Sequence, residues 1–151
     1  DNYHPINSHV MAAFIKKFCE AKKHLLPSVT FWGSGKPFRE FMHVDDLASA
    51  IIFLLNYWDP DSENAPLDNK GNPLYILNVG VGEDISIKQL ALKISNIIDY
   101  QGEILWDKSK PDGTPRKKLE IRKIKSLGWE PKISLDEGII NTIKSYKEEH
   151  Y

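Results

Sequence analysis

Gly33-Ser34-Gly35-Lys36, inside the stretch TFWGSGKPFREFMHVDD (residues 30–46), has the composition of a loop that holds a phosphate. A Walker loop needs four residues between its glycines and a hydroxyl after its lysine, so that backbone N–H groups and a helix N-terminus face the phosphates. Here one residue separates the glycines and Pro37 follows Lys36. GSGKP therefore reads as a tight turn between two strands. Arg39 is the stronger anion candidate: Phe38, Phe41 and Val44 imply a partly buried extended segment, where a guanidinium needs an anionic partner. Either a carboxylate of Glu40, Asp45 or Asp46 pairs with it, or a phosphate accepts its fork. Trp32, at a strand end beside glycines, is either core or a rim on which a base or sugar stacks. His9 opens a helix after a polar run and is either structural or, because it titrates near neutrality, a usable proton donor or acceptor.

Two further loops have phosphate-binding composition. Gly80-Val81-Gly82-Glu83-Asp84-Ile85 follows an apolar run and precedes a helix, as a dinucleotide fingerprint does, but Ile85 stands where the third glycine belongs and Glu83 would face the pyrophosphate. A turn that restarts the chain accounts for its glycines. Residues 110–118, KPDGTPRKK, are either a solvated surface loop or a basic ligand-facing one. Cys19, with Lys16, Lys17 and Glu20 around it, reads as a small helix-face residue rather than a nucleophile. Neither metal-ligand spacing of His or Cys nor a G-x-S-x-G elbow occurs. The residues alone indicate an α/β domain that binds an anionic ligand.

The elements that must position these residues are legible in the periodicity. Val10, Ala13, Phe14, Phe18 and Ala21 predict a helix to about Lys23, with Asn7 or Ser8 as N-cap. Val29 to Trp32 is a short strand closed by Gly33. A second helix runs from about Asp45 to Trp58, its core stripe being Leu47, Ala50, Ile51, Leu54, Leu55 and Trp58. The 59–73 segment is an exposed loop, and Tyr75 to Val79 is predicted as a buried strand. Ser86 and Gln89 form a capping box for a third helix with core face Ile87, Leu90, Ala91, Ile94 and Ile98. Glu103 to Trp106 is a strand, and Ser134 with Glu137 opens the last helix. This alternation predicts an α/β architecture with some parallel pairing, in one domain.

Composition excludes several classes. Of 151 residues 41% are hydrophobic, enough for a core, and the 20 basic against 21 acidic residues leave no global field for nucleic acid or a membrane surface. No apolar run approaches the ~20 residues of a membrane span. One cysteine excludes an internal disulfide and fits a reducing, cytoplasmic setting.

In this order, DNYHPINSHVMAAFIKKF, VTFWGSGKPFREFMHVDDLA, LNVGVGEDISIKQLA and SKPDGTPRKK resemble the C-terminal half of the GDP-L-fucose synthase family, extended short-chain dehydrogenase/reductases that act as GDP-4-keto-6-deoxy-D-mannose epimerase-reductases. The resemblance covers nearly the whole chain apart from the 59–73 loop. It implies an α/β substrate-binding lobe, residues 1–151, that completes a Rossmann-type sheet with an N-terminal half absent from this sequence. It implies conversion of GDP-4-keto-6-deoxy-D-mannose to GDP-L-fucose by epimerisation at two carbons and reduction with NADPH, in a cytoplasmic homodimer without nucleic-acid or membrane partners. By motif position, His9 is the acid that serves epimerisation and lies near the NADP cofactor. Lys17, where many relatives carry arginine, Trp32, Arg39 and Asp112 are substrate contacts, with Arg39 on the diphosphate. The family's glycine-rich NADP loop, Ser-Tyr-Lys group and epimerisation cysteine have no counterpart here, so this chain alone is expected to be inactive. Rival readings are the substrate lobe of a dTDP- or UDP-sugar enzyme and a non-catalytic nucleotide-sugar binding module.

Overall fold

In the computed structural model, which describes residues 2–4 and 7–150, the elements follow the order α1 (Val10–Lys23), β1 (Ser28–Trp32), β2 (Phe38–Arg39), α2 (Val44–Tyr57), β3 (Ile85–Ser86), α3 (Ile87–Ile98), β4 (Glu103–Asp107), β5 (Arg116–Lys117), α4 (Arg122–Ser126) and α5 (Leu135–His150). All four expected helices and the strands at 29–32 and 103–106 form. The chain folds as two compact units.

The first unit comprises the described residues of Asp1–Arg39, Ile85–Arg116 and Ile139–Tyr151. β1 pairs in parallel with β4, from Ser28 opposite Glu103 to Trp32 opposite Asp107. Strand alternation sends Val29 and Phe31 into the core and Thr30 and Trp32 to the other face. α1 covers the inner face: Phe14 and Phe18 lie 4.0 and 5.1 Å, ring to ring, from Phe31, and Trp106 lies 5.8 Å from it. α3 adds Leu90, Ala91, Ile94 and Ile98, all buried. Each such large side chain contributes about 1.5–3 kcal/mol by leaving water, which fixes the end of β1. The capping box at α3 is present in both directions between Ser86 and Gln89. At α1 the expected caps are not used; His9 occupies the N-cap position and makes no side-chain capping bond. β2 pairs antiparallel with β3, Phe38 opposite Ser86 and Arg39 opposite Ile85.

The second unit, Glu40–Asp84 and Lys117–Gly138, is organised by two carboxylates. Asp46 is buried and accepts the Lys132 and Ile133 N–H groups, both at 3.0 Å. Glu40 accepts Val81 N–H at 2.6 Å, Gly82 N–H at 2.7 Å and Leu119 N–H at 2.7 Å. Around Ala50, the core is completed by Ile121, Ile124 and Trp129.

Two expectations fail here. Tyr75 to Val79 is neither strand nor buried: Tyr75 is 64% and Ile76 81% exposed. A strand needs a neighbour's free edge for its N–H and C=O groups, and among the described residues none pairs with this segment. In α2 the expected stripe is only half covered: Ala50 is buried and Leu54 packs against its cluster, while Leu47, Ile51 and Leu55 are exposed. Periodicity reveals an apolar face but not what covers it, and α2 is apolar nearly all round.

Candidate functional site

Trp32 is 61% exposed, which decides between core and rim: it stands on the open face of β1. Lys110 Nζ lies 5.5 Å from the centre of its ring. Arg39 follows two strand residues on, past the turn. Its Nη1 donates to the Phe38 carbonyl at 2.6 Å and the Thr114 carbonyl at 2.7 Å. The carboxylate alternative for Arg39 fails, because its bonds run to carbonyls; Nε and Nη2 have no protein partner among the described residues. Those two donors are the adjacent pair that suits a phosphate or carboxylate fork.

Two hollows in the first unit adjoin along Trp32, Val10 and Ile87. One, of about 190 Å³, is lined by Arg39, Pro111, Asp112 and Gly113 as well. The other, of about 240 Å³, is closed by Ser8, Phe14, Lys17 and Phe31. Each is below the ~300 Å³ of an ordinary small-molecule pocket; side by side they make an elongated seat with a cation on each side of an indole. Val10 and Ile87 are walls that sequence reasoning missed. Ile87 reads as a core residue because it is in phase with Leu90 and Ile94, yet at the first position of α3 it faces the hollow instead.

Lys17 Nζ donates to the Thr30 carbonyl at 2.9 Å and lies 5.4 Å from the centre of the Phe31 ring. Burial lowers its pKa, since the ammonium has lost part of its hydration. Asp112 accepts the Ser34 N–H at 2.8 Å and the Ser34 hydroxyl at 2.6 Å. The hydroxyl first, then the N–H, and the charge of Lys36 hold its carboxyl below the usual range. His9 is exposed at the start of α1, between Ser8 and Val10, which line the seat, but it is not itself a wall. Cys19 is buried, and burial raises its thiol pKa, as befits an inert packing residue.

Other anion sites are accounted for internally. GSGKP is a turn between β1 and β2, as expected. The N–H groups of Val81 and Gly82, which a dinucleotide pyrophosphate would require, are held by Glu40. At α3 the first three N–H groups are bound by Pro37, Gly35 and Ser86. Among the described residues no group of three His, Cys, Asp or Glu could hold a metal ion, and no helix is long and apolar enough to cross a membrane.

Residues 1–66 match the profile described as the NAD dependent epimerase/dehydratase family. Over 148 residues the chain is 45% identical to probable GDP-L-fucose synthase 1 of Oryza sativa subsp. japonica, covering 98% of this chain and 41% of that protein. Identity to GDP-L-fucose synthase of Escherichia coli (strain K12) is 43% over 148 residues, with 98% and 45% covered. The chain is a homologue of the GDP-L-fucose synthases. It spans less than half the length of these relatives. A GDP-6-OMe-4-keto-L-xylo-heptose reductase from C. jejuni superposes with a TM-score of 0.80 at 32% identity, over 99% of this chain and 50% of that one. UDP-glucose 4-epimerase from Thermotoga maritima, at 24% identity and TM-score 0.76, shares the fold. The architecture is thus that of the matching part of these nucleotide-sugar enzymes, an α/β extended short-chain dehydrogenase/reductase fold.

Proposed function

We propose that these residues, 1–151, form the GDP-sugar-binding part of a GDP-L-fucose synthase. The parent protein is an NADP-dependent enzyme that epimerises GDP-4-keto-6-deoxy-D-mannose at two carbons and reduces it to GDP-L-fucose, as a cytoplasmic homodimer without nucleic-acid or membrane partners. The observation that carries this reading is the Arg39 fork, with Nε and Nη2 uncommitted beside the exposed face of Trp32. The names of the relatives supply the nucleotide and the sugar.

In this assignment Arg39 grips the diphosphate and Trp32 offers its apolar face to a sugar or base. Lys17 adds a second, half-buried positive charge on the far side of the indole. Asp112 borders the diphosphate hollow, and His9, the N-cap of α1 between the seat-lining Ser8 and Val10, is the acid that returns a proton to a carbon beside the ketone. NADPH would supply the hydride when bound. The described residues hold no dinucleotide cradle, because the one glycine turn of that type already wraps Glu40; hydride transfer is left to the remainder of the parent protein.

Calorimetric titration of GDP-L-fucose into the chain tests the assignment. Each hydrogen bond to a charged group is worth about 1.5–3 kcal/mol, so Arg39→Ala is expected to weaken binding roughly ten-fold or more. Equal affinity in the two proteins contradicts the assignment of Arg39.

A further inference from the structure

We infer that Ser34 is a positioning residue: with Asp112 it forms a latch that holds residues 111–113 as one wall of the Arg39 hollow. Gly33 and Gly35 have φ of +81° and +73°, the left-handed region open to glycine, and place Ser34 at the tip of the turn. A Cβ on Gly33 would strike the Asp112 carboxylate, and one on Gly35 would meet the Trp106 ring at 2.9 Å. The turn is therefore pressed between Asp112 and Trp106, and its glycines serve that approach rather than a phosphate.

The latch is two-pronged. Ser34 N–H donates to Oδ1 of Asp112 at 2.8 Å and the hydroxyl donates to Oδ2 at 2.6 Å. The same hydroxyl accepts Lys36 N–H at 3.2 Å while donating its own proton to Asp112. Elsewhere the loop is tied at Asp107, whose carbonyl accepts Gly33 N–H at 2.9 Å, and at Pro115, whose carbonyl accepts Phe38 N–H at 2.8 Å. Its other tie, Thr114 to Arg39, uses the very guanidinium that would bind the anion. Ser34 is the tie that grips Asp112 itself, between Pro111 and Gly113, the stretch that lines the hollow. The charges around Asp112 are Lys36 from the turn, Arg39 of β2 beside Gly113, and Lys110 on the loop itself.

The nature of the anion rests on the GDP-sugar reading above; the latch does not. The test is a carboxyl carbon NMR titration of Asp112 in the chain, for wild type, Ser34→Ala and Ser34→Thr, followed by titration of each with GDP. Asp112 is expected to titrate below the ordinary carboxylate range in wild type and Ser34→Thr and to move up in Ser34→Ala. GDP affinity is expected to fall several-fold in Ser34→Ala and to return in Ser34→Thr. An Asp112 titration that does not move in Ser34→Ala overturns the latch whatever GDP does. A titration that moves while GDP affinity stays constant overturns the positioning role. If wild type binds no GDP, the GDP-sugar reading falls, and the latch is decided by the Asp112 titration alone.

Discussion

At the scale of single residues, several carboxylates in this chain organise backbone. Glu40 looks from the sequence like a partner for its neighbour Arg39, but its two oxygens collect three N–H groups from 81, 82 and 119. Glu40→Gln places an NH₂ group where one of those oxygens accepts, leaving a donor facing a donor; a loss of about 1–3 kcal/mol in urea unfolding is expected. Asp112 has a depressed pKa in the folded chain. Its contribution is therefore present above the ordinary carboxylate range and is lost as pH falls through the folded value. The stability difference between wild type and Ser34→Ala should accordingly vanish in acid. Trp32 and Arg39 stand out as candidates by residue type alone, an aromatic and a basic group close together, whereas Lys17 and Asp112 become candidates only through the family resemblance. Ser34 was legible in neither way: a serine between two glycines reads as turn filler until Asp112, 78 positions away, is brought against it.

At the scale of elements, the four long helices were read correctly because their determinants are local, whereas the five-residue α4 was not anticipated. The Ser86–Gln89 box and the spacing of Leu90, Ala91, Ile94 and Ile98 lie within one segment. β2 and β3, two residues each, carry no periodicity of their own and exist through the pairing of Arg39 with Ile85. The same limit explains the strand expected at Tyr75 to Val79. α2 makes the point quantitatively, since its two apolar faces differ in what touches them. Ala50→Leu, on the face packed against Ile121, Ile124 and Trp129, should cost about 1–3 kcal/mol by overpacking. Leu55→Lys, at a position 82% exposed, should change stability by no more than about 0.5 kcal/mol in the same unfolding assay.

At the scale of the whole molecule, one indole projects from β1 of the parallel β1–β4 pair under α1, and one guanidinium from β2, which pairs with β3. That arrangement suits recognition of a ligand with an anionic centre and flat or apolar ends, which is the chemistry of a nucleotide-sugar. We propose that this seat takes a guanosine diphosphate. The most direct test follows tryptophan emission while GDP, UDP and dTDP are titrated in turn into the purified chain, with Arg39→Ala as control. This assignment predicts a saturable change with GDP that is weaker for the two pyrimidine nucleotides and is lost in Arg39→Ala. Equal responses to all three nucleotides, or a GDP response that survives in Arg39→Ala, would contradict it.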